Sequence, residues 1–133
     1  MKHIGTLVED IKQVLRSGKV HLDTNKLAAV LSSRLSEDKG ASVLRMSNLG
    51  TPCERKLWYT INKPELAEPL PAEARLKFLI GDITEEVLLS IAEQSGHSVE
   101  KRQAAVDLHG VPGHLDAVID GVVTDVKSAS SYQ

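Results

Sequence analysis

The sequence predicts an α/β fold in which a mixed sheet is flanked by helices and preceded by an α-helical N-terminal region. Apolar residues recur at helical spacing over residues 4–15, 24–35 and 72–95. After His97 the pattern changes to short β-branched runs punctuated by His109-Gly110 and Asp120-Gly121. From residue 72 onward the order is therefore helix, strand, strand, strand, which is that of a sheet covered by a helix.

The first helix carries Ile4, Leu7, Val8, Ile11, Val14 and Leu15 as its apolar stripe and ends near Ser17-Gly18. Asp23 is placed to cap the second, whose stripe is Leu27, Val30, Leu31 and Leu35, and the two read as a helical hairpin. Ser36-Glu37-Asp38-Lys39-Gly40 is polar and turn-rich, so the chain divides into a helical region over 1–40 and a core over 41–133. A loop over 47–52 leads to a helix over 52–61 bearing Glu54, Arg55 and Lys56. Pro64, Pro69 and Pro71 make 63–71 a connection. The helix over 72–95 has Leu76, Leu79, Ile80, Ile83, Val87, Leu88 and Ile91 as its stripe and Gly96 just past its end. Residues 98–108 read as one strand.

The chemistry is concentrated in Gly113-His114-Leu115-Asp116 and Asp125-Val126-Lys127. An Asp-Gly pair between β-branched runs favours a two-residue hairpin turn in which both central residues take positive φ. Counting outward from it sets Ile119 opposite Val122, Val118 opposite Val123, Ala117 opposite Thr124 and Asp116 opposite Asp125. Lys127 then shares the face of Asp125, with His114 across from it. Like charges at directly opposed positions, ~5 Å apart, destabilise a sheet, so a hard divalent cation such as Mg²⁺ or Mn²⁺ is the expected neutraliser. An Asp-x-Lys on a strand is often just a solvated face or a cross-strand ion pair. Here the neighbours Leu115, Val118, Ile119, Val122, Val123 and Val126 argue for strands covered on both sides, where acidic groups carry a role.

The chain has 133 residues and a net charge of −2, which excludes gripping nucleic acid through overall positive potential and leaves local contact. With 3% aromatic residues, contact to the phosphate backbone is favoured over extensive base stacking. The one cysteine, Cys53, excludes an internal disulfide. No apolar run approaches the ~20 residues of a membrane span, and Met1-Lys2-His3-Ile4 continues into an amphipathic pattern, so a cytoplasmic protein is expected.

Gly113-His114-Leu115-Asp116 followed by Asp125-Val126-Lys127-Ser128-Ala129-Ser130 resembles the G-x-x-D…D-x-K signature of the PD-(D/E)XK nuclease superfamily, in its RecB-type and phage exonuclease-like branches. The resemblance runs from about Ser47 to the end of the chain. It implies a restriction-endonuclease-like core in which Asp116 and Asp125 bind the metal and Lys127 assists the chemistry. Gly81-Asp82-Ile83-Thr84-Glu85 resembles the family's first motif and makes Glu85 the helix carboxylate and a third ligand, although on a helical wheel Glu86 lies nearer the apolar stripe. Arg55 and Lys56, whose segment lies near the DNA path in that family, together with His114 and Ser128 beside the acidic motif, are the expected DNA contacts. Cys53-Glu54-Arg55-Lys56-Leu57-Trp58-Tyr59 resembles the segment that supplies one cysteine to an iron–sulfur cluster in some relatives, but the three further cysteines are not in this sequence. The family continues with a helix carrying Gln and Tyr and a further strand, so the core reads as cut short at Tyr132-Gln133, or completed by a protein partner. The implied activity is a divalent-metal-dependent DNA nuclease, an exonuclease of DNA recombination, repair or processing. The alternatives are an inactive nucleic-acid- or protein-binding module of the same fold, and a metal-dependent phosphomonoesterase.

Overall fold

The computed structural model describes residues 2–36 and 42–128. Among these residues four α-helices, α1 (Leu7–Ser17), α2 (Thr24–Leu35), α3 (Glu54–Asn62) and α4 (Ala72–Gln94), precede five short strands. These are β1 (Val99–Glu100), β2 (Ala104–Leu108), β3 (Val111–Leu115), β4 (Ala117–Ile119) and β5 (Val122–Thr124). The expected linker lies, but for Ser36, outside the described residues, as do Ala129, Ser130, Tyr132 and Gln133. No described helix is long and apolar enough to cross a membrane.

Local chemistry accounts for most of the helix ends. The Asp23 carboxylate accepts the Lys26 N–H at 3.0 Å and starts α2. Gly18 stops α1 in the left-handed conformation at φ 65°. Gly96, at φ 95°, lets the chain leave α4 and turn into β1.

The expected mixed sheet is not what forms. All pairings among the described residues are antiparallel, in a three-stranded ladder β1-β4-β5 and a two-stranded ladder β2-β3. The division has a local cause. Between the pairs Glu100↔Val118 and Ala104↔Leu115 one strand advances four residues and the other three, so residues 101–103 form a β-bulge opposite Asp116 and Ala117. Lys101 and Gln103 both take positive φ there, at 51° and 50°. The single strand expected over 98–108 is thus β1 and β2 in series.

The core lies where α4 covers β4. Leu89, Ala117 and Ile119 are buried, and Ile4, Leu7, Val99 and Val126 pack around them. The expected helical hairpin is replaced by separate docking of α1 and α2 on α4. Two stripes also shift. Leu35 is exposed and Arg34 takes the inner position one turn beyond Leu31, while Leu76 and Ile80 of α4 are exposed and Leu89 and Ala92 are buried. Apolar periodicity identifies a helix but not which side its partners will cover.

One buried polar node ties α1 to the sheet. His97 places Nδ1 2.5 Å from Asp120 Oδ2 and Nε2 2.9 Å from Asp10 Oδ2, and Ser98 N–H donates to Asp120 Oδ1 at 3.0 Å. The Thr6 hydroxyl, then Lys2 and His97, lower the Asp10 carboxyl to about 2. A carboxyl depressed by folding stabilises the protein above its unfolded value of 3.8 and loses that contribution as pH falls through about 2. Wild type is therefore expected to exceed Asp10→Asn in stability at neutral pH, with the gap closing between those two values. Acid titrations followed by circular dichroism check this.

Candidate active site

The hairpin at Asp120-Gly121 forms as its sequence dictates. Asp120 and Gly121 have φ 49° and 81°, and the register is Ile119↔Val122, Val118↔Val123 and Ala117↔Thr124. The ladder ends there, one pair short of Asp116 and Asp125. The Asp116 carboxylate takes over the role of a ladder carbonyl, its Oδ2 accepting the Val126 N–H at 2.8 Å. Lys127 Nζ lies 2.8 Å from Asp125 Oδ2, both side chains being largely exposed at 81% and 57%. The Lys127 ammonium, and then a hydrogen bond shared with Asp116, hold Asp125 below the usual carboxylate range. In return Asp125 raises Lys127, which is therefore an ammonium and a donor at neutral pH, not a base. The structure brings these three residues together.

Glu85 enters from α4. It is 8% exposed, and its Oε1 accepts Gln103 Nε2 at 2.5 Å and Arg34 Nη2 at 3.1 Å. Burial raises its carboxyl pKa, the Gln103 and Arg34 donors oppose this, and the charge of Asp116 adds to the rise, so Glu85 feels Asp116. Glu86 faces elsewhere, in an ion pair with Arg102. The choice between the two glutamates is made by the bulge. Alternation along a regular strand would send residues 102 and 103 to opposite faces, but here both reach back to α4, Arg102 to Glu86 and Gln103 to Glu85. The Gln103 N–H also donates to the Asp116 carbonyl at 2.9 Å, so one residue braces both Glu85 and the Asp116 backbone.

Arg34 and Gln103 were not among the sequence candidates. Arg34 left a trace, standing seven residues after Leu27 on the inner stripe of α2, where a charge requires a partner; its second partner is Asp82, 2.6 Å away. Gln103 left none, since a bulge between non-glycine residues has no composition signal.

The remaining candidates divide. Ser128 lies beside the site, its Oγ 3.8 Å from where a side chain on Gly81 would begin, one turn of α4 before Glu85. His114 does not face Lys127, because its strand pairs with β2 and its partner is Ala105. Arg55 and Lys56 are exposed on α3, which packs on the turn Pro64–Leu66. Gly113 has a steric role: a side chain there would meet Met46 Sδ at 2.6 Å, where the turn Met46–Asn48 packs on β3.

The three-ligand centre expected from Glu85, Asp116 and Asp125 is not assembled. Among the described residues no group of three or more His, Cys, Asp or Glu side chains is disposed to hold a metal. Glu85 is drawn back by Arg34 and Gln103, and Lys127 neutralises Asp125. What remains is an adjacent pair of carboxylates, Asp125 exposed and Asp116 half-buried, a hard-oxygen donor set of the kind that holds Mg²⁺ or Mn²⁺ through one or two protein ligands and several waters. The residues fit such an ion on those terms. No family model, curated protein or solved structure matches the chain.

Proposed function

We propose that this chain is a divalent-metal-dependent DNA nuclease of PD-(D/E)XK type, built on a restriction-endonuclease-like core and acting on DNA ends. The observation that carries this reading is the convergence of Asp116, Asp125 and Lys127 at the open end of one hairpin, with Glu85 buried behind them in electrostatic contact with Asp116. Asp116 and Asp125 would hold the ion, which when bound supplies a polarised phosphoryl oxygen and a metal-activated hydroxide.

The chain's own residues do the rest. The ammonium of Lys127 sits on a long, exposed side chain and can leave Asp125 Oδ2 to donate to a phosphate oxygen as negative charge builds there. Arg34 and Gln103 keep Glu85 fixed and charge-compensated against its burial, and the Val126 N–H fixes the rotamer of Asp116. Ser128 follows Lys127 in the chain, with its hydroxyl near Gly81 of α4.

Incubation with linear and circular DNA in Mg²⁺, Mn²⁺ or EDTA tests the proposal. Linear DNA is expected to be degraded with either metal and spared in EDTA, while covalently closed circles survive. Cutting of circles would make the enzyme an endonuclease. No cleavage of either DNA would leave the second reading, an inactive binding module, which is favoured by the neutralisation of Asp125 and Glu85 by Lys127 and Arg34 without any metal.

A further inference from the structure

The aromatic residues are few but not scattered. The single tryptophan and one of the two tyrosines are adjacent on α3, Trp58 and Tyr59, 52% and 41% exposed. Their rings meet edge to face at 5.2 Å between centroids, and the Arg55 guanidinium lies 5.9 Å from the centre of the Tyr59 ring. At 100° per residue Trp58, Asn62, Arg55 and Tyr59 share one side of the helix, with Lys56 next to Tyr59. Leu57 and Ile61, the half-buried residues of α3, lie roughly opposite. The outer face therefore alternates aromatic planes with two cations and an amide, and the helix's one carboxylate, Glu54, stands at its margin. An ordinary exposed helix in an acidic chain would mix charges and hold its large aromatics inward.

We infer that the outer face of α3 is a platform for single-stranded DNA, with unpaired bases stacking on Trp58 and Tyr59 and phosphates meeting Arg55 and Lys56. Chemistry selects this occupant. Aromatic planes attract the π-faces of bases, and those faces are accessible only when the strand is unpaired; a duplex presents phosphates and base edges. Two cations beside the rings suit a polyanion. The platform follows closely in the chain on a segment that touches β3. The turn Met46–Asn48 packs on β3 at Gly113, three residues before Asp116, and the Thr51 N–H, three residues before α3, donates to the Asn48 carbonyl at 3.0 Å. The inference rests on the nuclease reading only in making the bound strand its substrate.

Trp58 is its own reporter, since no other tryptophan is present. Oligothymidylate of about 15 nucleotides, the span one ssDNA-binding fold covers, is titrated in EDTA, where metal-dependent cleavage is off. Saturable quenching of Trp58 emission is expected, with little from a blunt duplex at equal concentration. By anisotropy of a labelled oligonucleotide, Trp58→Leu and Tyr59→Leu are each expected to weaken binding by about 5- to 150-fold, and Trp58→Phe to retain it. Combined Arg55→Ala and Lys56→Ala should lower the slope of log affinity against log salt by about 1.4. Far-UV circular dichroism establishes that each variant keeps its helix, and the quenching needs no variant at all. Absence of quenching, equal quenching by duplex, or wild-type affinity in Trp58→Leu overturns the platform. Quenching without cleavage under Mg²⁺ rejects the nuclease alone, and cleavage without quenching rejects the platform alone.

Discussion

Lys127→Ala is expected to slow DNA cleavage by ~10²–10³-fold, the cost of removing one donor aimed at developing charge, while leaving the stabilisation of the protein by Mg²⁺ at its wild-type size. The two effects separate because the ammonium is positioned to act on the phosphate and does not hold the ion. In the free protein it does neutralise Asp125, at 2.8 Å. Removing it deprives Asp125 of the first cause of its lowered pKa and leaves the shared hydrogen bond with Asp116. A carboxylate relieved of a competing cation binds a metal no less well. At 81% exposure the lysine packs against little, so truncation to alanine creates no cavity and the fold survives. Single-turnover cleavage and calorimetric Mg²⁺ titration give the two numbers. Cleavage at the wild-type rate would make Lys127 a solvated partner of Asp125 and remove the catalytic assignment.

Asp116→Asn is expected to be the more severe lesion, with cleavage down on the order of 10³-fold or more through loss of a ligand to the activating ion, and yet the metal-free protein should be as stable as wild type or more so. The usual half-buried substitution destabilises by ~1 kcal/mol. Here the charge of the wild-type side chain adds to the cost of charging the buried Glu85. Asparagine removes that charge, keeps an oxygen for the Val126 N–H and presents an amide that can donate to Asp125 in place of the hydrogen bond the two acids share. Mg²⁺ reverses the ranking. An ion that binds only the folded state at 10–100 times its dissociation constant contributes about 1.4–2.7 kcal/mol, and the variant forgoes most of it. Thermal unfolding of both proteins in EDTA and in millimolar Mg²⁺ supplies the four melting temperatures. Equal metal-induced shifts would show that Asp116 is no ligand and would favour the binding-module reading.

Sequence alone determined what depends on a residue and its immediate neighbours. Asp120-Gly121 specifies the hairpin because both positions need positive φ, and the register of β4 on β5 and the proximity of Asp116, Asp125 and Lys127 follow by counting. Asp23, Gly18 and Gly96 mark helix ends by capping and left-handed backbone in the same local way.

Tertiary structure decided what depends on partners distant in sequence. It set Glu85, and not Glu86, within electrostatic reach of Asp116, placed Arg34 inside and Leu35 outside, and drew the core from Leu89 instead of Leu76 and Ile80. It also broke the strands at residues 101–103, so that His114 paired with Ala105 and Gln103 reached Glu85. The reason is physical. A backbone preference or a cap is settled within one turn, and so it is written in a few adjacent side chains. The burial of a charge on α4 is settled by whichever cation and amide α2 and the bulge bring to it, and that pairing exists only once the chain has closed on itself.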